Sequence, residues 1–526
     1  MKILLIAINS KYIHPNLAVR LLKANTAFST EIKEFTIKDS PEKIIAFVNE
    51  GNFDVVGISC YIWNIEIVKN ILPGIKAKHV VLGGPEVSYD AEYYLENNLA
   101  EFVIKNEGEI AFDKLIKHLN GECTLNEVPN LYYRGGFTFD QAVNLSEIRD
   151  AYDLYDNMEN KIAYIETSRG CPYHCGYCMA SLDNNLRFFD MEKIKSEILL
   201  LKSKGAKTFK FLDRTFNANR KFPDLIDFII ENYTTGESYQ FEITGDVLKP
   251  EYIDYINARA PKNLIRFEIG IQSTNVESNR AVGRIQDNKR LFDNILRIQN
   301  AGIIDLHLDL IAGLPYETLA VFEKTFNDCI ALRPKELQLG FLKLLKGTNL
   351  FCHAQEFGYK YENNAPYEII SNDFLSEDDI IEIHCTENAF DYYYNSGFYK
   401  NSMLIILDNE PSAFAFFNKL GRLEIKGELH ERFRILDDFI MDKSYYNEFH
   451  SALIYDYLNH FSIRPKIWWD EKVSKEEKNK LYREFCEKNH DFSPADFYKY
   501  GMTVKLENVT YFCLFKPDCK LILKMV

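Results

Sequence analysis

Through the first two thirds of the chain, short apolar runs alternate with amphipathic stretches. KILLIAI, EIKEFTI, DVVGISCYI, HVVLGG and EFVIKNEGE are apolar or alternating segments of strand length. PNLAVRLLKAN, with Pro15 at its start, PEKIIAFVNEG, ended by Gly51, and IEIVKNILPGIKA repeat apolar residues at helical spacing. Residues 1–140 are therefore expected to form a parallel sheet covered by helices, a doubly wound (Rossmann-like) α/β domain. Such folds bind ligands at the carboxyl ends of their strands. The segments there are Asn9–Asn16, Ser59–Asn64, Gly83–Glu86 and Glu107–Glu109.

Residues 141–160 are polar with scattered aromatics and read as a linker. A second series of strands and helices follows. IAYIETS, KTFKFLD, YQFEITG, IRFEIGIQS, IDLHLDLIAG and ELQLGFLKLL read as strands, with helical patterns such as MEKIKSEILLLKSKG between them. Six parallel strands in series predict an open, partial (β/α)6 barrel over residues 161–350. Residues 351–526 are rich in Tyr, Phe and Asn and combine helical runs such as EDDIIEIHCTENAFDYYY with a closing stretch, MTVKLENVTYFCLFKPDCKLILKMV, that alternates like antiparallel strands. They are expected to form an α+β domain that walls the barrel mouth and sets substrate specificity.

Composition adds bounds. A chain of 526 residues with 46% hydrophobic and 26% charged residues is ordinary globular protein, long enough for about three domains. A net charge of -15 lacks the basic footprint of a nucleic-acid binder, and no nucleic-acid partner is expected. MKILLIAINS has one Lys, a short apolar run and no small-residue cleavage site, so it reads as a buried strand rather than an export signal. No apolar run reaches the length of a membrane span, and a cytoplasmic location is expected.

In that compartment the 11 cysteines are expected as reduced thiols. Eight are scattered, at Cys60, Cys123, Cys329, Cys352, Cys385, Cys486, Cys513 and Cys519, and read as small buried hydrophobes. Cys513 and Cys519 flank KPD, but two ligands are too few for a metal site.

The other three carry chemistry. In RGCPYHCGYC, Cys171, Cys175 and Cys178 stand on one loop after the first barrel strand. A closed zinc site or a fully protein-ligated cubane takes four ligands. One reading is structural zinc with His174 or a remote residue as the fourth. The other is a 4Fe–4S cluster with one iron left for a non-protein ligand. The C-x3-C-x2-C spacing resembles the signature of the radical S-adenosylmethionine (radical SAM) superfamily, whose aromatic residue before the last cysteine is matched by Tyr177. Later strand ends are similar to those of the family in order. The resemblance implies SAM contacts from Asp213 and Arg214 in DRTFN, from Glu242, from Gln272 in EIGIQS, from Arg284 in AVGR, and from Asp309 and Ile311 in DLIAGLP.

A doubly wound domain before such a barrel resembles the cobalamin-dependent radical SAM enzymes, over residues 1 to about 345, with a C-terminal third typical of an uncharacterised subgroup. Cobalamin contacts are then implied for Ser59, Tyr61, Trp63, Asn64, Gly83, Gly84, Pro85, Glu86, Glu107 and Gly108. There is no G-x-G-x-x-G and no G-x-x-x-x-G-K-[ST]. The D-x-H-x-x-G pattern of many cobalamin proteins is also missing, because Tyr12 and Leu17 replace its Asp and Gly around His14. His14 is expected to have a packing or capping role. Methylthiotransferases share the two-domain order but need three cysteines in the first domain, where only Cys60 and Cys123 occur.

The implied cofactors are a 4Fe–4S cluster, SAM and cobalamin. The implied activity is C-methylation of an unactivated carbon through a 5′-deoxyadenosyl radical and methylcobalamin. Rearrangement or cyclisation without methyl transfer, and a non-catalytic sensor, are the alternatives. Implied partners are a reductant such as flavodoxin or ferredoxin and a small-molecule, lipid or peptide substrate.

Overall fold

A computed structural model of the chain describes residues 1–423, 425, 427–469, 473–488, 493–506, 509–516 and 519–525. It divides into two compact units. The larger comprises Met1–Thr325 and Leu332–Glu377, the smaller Phe326–Ala331 and Asp378–Val526.

The larger unit opens with a sheet in the order β2-β1-β3-β4-β5-β6-β7. Its strands are β1 (Ile3–Asn9), β2 (Thr30–Thr36), β3 (Val55–Ser59), β4 (His79–Gly83), β5 (Phe102–Ile104), β6 (Leu131–Tyr133) and β7 (Gly136–Phe137). The first five pair in parallel and the last two are antiparallel additions. Every residue of β1 is buried, as expected for a central strand with helices on both faces. The order 2-1-3-4-5 has its topological switch point between β1 and β3, where doubly wound folds open a ligand crevice. Helices Leu17–Asn25 and Pro41–Gly51 start at the side-chain caps of Asn16 and Ser40.

The second sheet runs β15-β14-β13-β12-β11-β8, all parallel and unclosed. These strands are β8 (Ile162–Ile165), β11 (Thr208–Phe211), β12 (Ser238–Ile243), β13 (Ile265–Gln272), β14 (Asp305–Ala312) and β15 (Glu336–Phe341). Alternation sorts their two faces. Tyr239, Phe241, Phe267 and Ile269 are buried with the aromatic rings of Phe216 and Phe222. Of the intervening residues, Lys210 pairs with Glu268 and Arg266 with Asp305 across strands, Glu242 pairs with Arg214 in the loop after β11, and His307 pairs with Asp309 along β14. The free edge of β8 is covered from the first domain, because Ile162 donates its N–H to the carbonyl of Ile13.

Three features depart from the sequence expectation. The stretch 141–160 buries Val143, Leu145, Ile148, Ala151, Tyr152, Tyr155 and Met158, so it is packed against the unit rather than strung as a loose linker. Short strands β6 and β7, and the two-residue ladder of β9 (Ser168–Arg169) with β10 (Arg187–Phe188), were too brief for a periodic signal. Residues up to Glu377, including the pair β16 (Lys360–Tyr361) and β17 (Ile369–Ser371), run with the larger unit.

The smaller unit holds helices Lys400–Asn409, Ala413–Gly421, Leu429–Ile440 and Tyr446–His460, and an antiparallel sheet of β18 (Gly501–Leu506), β19 (Val509–Lys516) and β20 (Cys519–Met525). Asp456 accepts from the backbone N–H groups of Asn401 and Ser402 and so caps the helix Lys400–Asn409 from a neighbouring helix. Phe390, Phe414 and Phe417 pack around Phe326, and Tyr482, Phe485, Phe497 and Phe512 form a second aromatic cluster. Among the described residues no helix is long and apolar enough to cross a membrane. Of the scattered cysteines, Cys60, Cys329 and Cys513 are buried, Cys123, Cys385 and Cys486 half-buried. Cys352 is exposed, contrary to expectation, because it ends a one-turn helix at the surface. The side chain of Cys519 lies outside the described residues.

Candidate active site

The cysteine loop leaves the carboxyl end of β8 through β9 and returns through β10. Gly170 has φ +86, and an added Cβ would stand 2.6 Å from the carbonyl oxygen of Asn185, so only glycine fits. Cys171 is buried, donates its N–H to Asp183, and brings its Sγ within 3.9 Å of Thr215 Oγ1. The Cys178 N–H donates to the Cys175 carbonyl, and Ser181 Oγ donates to the carbonyls of Cys175 and Cys178. Gly176 is held from two sides, donating to Val282 and accepting from Leu350. Burial pushes the Cys178 thiol up, against the opposing field of Arg214. Among the described residues no three Cys, His, Asp or Glu side chains converge on one point as a mononuclear metal site requires. A cubane makes a different demand, one thiolate at each of separate iron corners.

Two of the residues expected to meet SAM, Arg214 and Arg284, stand beside this loop. Arg284 is engaged with the Gly270 carbonyl and with Gln286 Oε1, and its Nη1 lies 3.5 Å from the Tyr177 hydroxyl. Gln272 sits at a bulge in the pairing of β13 with β14 and has φ +65. Its Oε1 is buried with no hydrogen-bond partner among the described residues. Arg214 pairs with Glu242 at 3.1 Å. Asp309 accepts from His307 at 2.8 Å. Burial would lower His307, but Asp309 and Glu336 hold it up to about 10. Ile311 lies further along the same strand. Asp213 turns instead to the chain: it accepts from the Thr167 N–H, the Thr167 hydroxyl and the Ser168 hydroxyl, bracing the start of the cysteine loop. Burial pushes its carboxyl up to about 6 despite those three donors.

In the first domain the loops after β1, β3 and β4 meet at the switch point. Ser59 accepts from Asn16 at its hydroxyl. Asn64 is buried and spent on backbone, donating to Ile8 and Ser59 and accepting from the Tyr61 N–H. It braces a loop on which the rings of Tyr61 and Trp63 stack at 4.4 Å and 6°, with Trp63 45% exposed. A flat aromatic platform at a crevice suits a flat macrocycle. Gly83 and Gly84 lie against the same loop. Gly84 has φ +115, and a Cβ there would stand 2.4 Å from the Cys60 carbonyl oxygen. Pro85 begins the short helix that follows, and the Glu86 carboxyl accepts from the Tyr367 hydroxyl. Burial raises Glu86.

Gly108 precedes the helix Glu109–Leu119. Glu107, expected among the cobalamin contacts, faces the barrel. Its Oε1 accepts from Arg169 at 3.0 Å, and its Oε2 from Arg187 at 3.0 Å and the Val143 N–H at 2.8 Å. Burial would raise Glu107, but Arg187, Val143 and Arg169 hold it below the usual carboxylate range. Arg169 also reaches Glu109 at 2.6 Å and Glu166 at 2.9 Å. Neither arginine was singled out from the sequence, although Arg169 lies two positions before Cys171. No local pattern announces a partner 62 residues away. His14, expected to pack or to cap, is half-buried. Its Nδ1 lies 2.6 Å from the Tyr164 hydroxyl of β8, and burial followed by Lys11 and Lys210 lowers its pKa.

Three family models match the chain. Residues 3–116 match the B12 binding domain, residues 165–329 the radical SAM superfamily, and residues 355–520 the family described as protein of unknown function (DUF4080). The cobalamin-dependent radical SAM methyltransferase TokK of Streptomyces tokunonensis is 24% identical over 51% of this chain and 44% of its own length. An uncharacterized methyltransferase of Pyrococcus horikoshii is 31% identical over 30% of this chain and 37% of its own. The chain thus spans less than half the length of these curated relatives. The fold is shared with the cobalamin-dependent S-adenosylmethionine radical enzyme OxsB (TM-score 0.59, 16% identity, 92% of this chain and 84% of that one). It is shared also with the methyltransferase TsrM from Kitasatospora setae (TM-score 0.58, 15% identity, 84% and 99%).

Proposed function

We propose, for a chain that joins a B12-binding domain to a radical SAM domain, that it is a cobalamin-dependent radical SAM enzyme that methylates carbon. The observation that carries the reading is the contact between the two cofactor regions. The turn Glu107–Glu109 of the first domain grips Arg169 at the entrance of the three-cysteine loop. Both regions lie at the carboxyl ends of their strands, where such folds bind ligands, and this contact joins them.

In this reading Cys171, Cys175 and Cys178 hold three irons of a 4Fe–4S cluster. Gln272 Oε1 accepts from SAM, Arg284 supplies positive charge beside Tyr177, and Asp309 and Ile311 line the nucleoside. Tyr61, Trp63, Gly83 and Gly84 floor the corrin. Bound there, the cofactors supply one-electron cleavage of a sulfonium bond and a methyl group carried on cobalt. The chain's own part is to bind, to orient and to keep water from a reactive carbon centre. Asp213 serves by fixing Thr167 and Ser168, from which the loop departs.

The test is anaerobic reconstitution with iron, sulfide and hydroxocobalamin, followed by SAM, reductant and a panel of candidate substrates. Methylation predicts a product heavier by one methylene unit, with 5′-deoxyadenosine and S-adenosylhomocysteine formed. A product of unchanged mass would replace methylation by rearrangement. Absence of any SAM cleavage would favour a sensor.

A further inference from the structure

We infer that Glu107 and Arg169 are positioning residues for the cysteine loop: one carboxylate of the first domain holds both feet of the loop and sets its orientation toward that domain. The inference rests on the reading of this loop as the cluster site.

The geometry is specific. Arg169 and Arg187 are register partners in the two-residue ladder from which the loop springs. Glu107 takes one of them on each oxygen. Arg187 is further tied to the Val143 carbonyl at 2.6 Å and to Asp183 at 2.7 Å, and Asp183 accepts the N–H of Cys171. Arg169 divides its remaining donors between Glu109 and Glu166. The side chains of Arg169, Glu107 and Glu109 are only 12%, 16% and 6% exposed. Buried ion pairs of this kind contribute little net stability, because desolvation offsets their attraction. They do impose direction, since a guanidinium meets carboxylates only along its planar fork. The loop's regular structure is a two-residue ladder and the 3-10 turn Met179–Leu182, and the barrel holds its middle at Gly176, so the direction of its two feet is set by the clamp on Arg169 and Arg187.

The experiment uses the full chain with Glu107→Gln, Arg169→Lys and Arg187→Lys. Three quantities are read: iron content after reconstitution, hydrogen exchange by mass spectrometry, and the KM for SAM in reductant-driven 5′-deoxyadenosine formation. Glu107→Gln should keep its iron, because the thiols remain. Exchange of the amides in 170–188 should accelerate about tenfold, and the KM for SAM should rise by about the same factor, the effect of losing charge-assisted bonds. Exchange in β1 and β3 should stay at the wild-type rate. Arg187→Lys, which frees one foot only, should lie between and remains informative if Glu107→Gln does not fold. Loop exchange and KM within about twofold of wild type, or acceleration spread evenly over the first domain, would overturn the inference. If wild-type protein takes up no iron, the cluster reading fails instead, and exchange in the metal-free protein still decides whether the clamp exists.

Discussion

Glu317 is a carboxyl group with almost no support for its charge. It is fully buried, the Ser273 hydroxyl donates to one oxygen, and the other has no partner among the described residues. Burial pushes its pKa up to about 8 from an ordinary 4.5. Between those values the folded chain keeps a proton that the unfolded chain has released. Stability therefore falls as pH rises through this window, and the loss is complete above the folded pKa. Glu317→Gln, which keeps the shape, should flatten this slope and stabilise the protein by roughly 3–5 kcal/mol at pH 8.5 in urea unfolding, with little change near pH 4.5. An unchanged pH profile would mean that the group is ionised in the fold. Chemistry at the cysteines is simpler to test. Replacing Cys171, Cys175 and Cys178 together by Ala should remove the iron–sulfur absorbance, and full retention would mean that other ligands bind it. The cysteines were legible because their spacing is itself the chemistry. Glu317 was not, because a single carboxyl in LPYET looks like a surface residue until strands distant in sequence bury it.

At the scale of elements, the long strands and helices could be read from their periods, and the connections could not. Apolar runs such as KILLIAI announce a central strand. The loop KYIHPN gives no hint that Ile13 extends the edge of β8 or that His14 reaches Tyr164. His14→Ala should therefore leave the amount of bound hydroxocobalamin unchanged after gel filtration. Loss of cobalamin, with nitrogen hyperfine splitting in the electron paramagnetic resonance of the reduced wild-type complex, would instead make His14 a cobalt ligand. The turn after β4 has the opposite character, since its glycines were visible but their need was not. At φ +115 and 2.4 Å from the Cys60 carbonyl, Gly84 has no room for a side chain. Gly84→Ala should cost about 1–3 kcal/mol in urea unfolding and weaken cobalamin binding, because the loop that moves carries Tyr61 and Trp63. Wild-type affinity with wild-type stability would show that the strain is relieved locally.

For the whole molecule, the order of domains was legible and their attachment was not. Domain order follows from which period each segment carries, a local property. Attachment depends on pairs far apart in sequence. Tyr367 donates to Glu86 across 281 residues, Lys346 meets Asp90 at 2.6 Å, and Glu107 grips Arg169 and Arg187. With His14 on Tyr164 and Ile13 on Ile162, these contacts tie the B12-binding domain to the rest of the larger unit. Tyr152 and Tyr155, buried with Arg20 of the first domain on one side and Lys204 of the barrel on the other, would be exposed to water if the two domains separated, and that exposure opposes separation. Separation should therefore coincide with unfolding. In the cofactor-free protein, the amides of β3 and of β13 should become exchange-competent over the same range of urea concentration. If β3 opens at clearly lower urea while β13 stays protected, the domains are independent bodies, and the orientation of the cysteine loop must be set within the barrel alone.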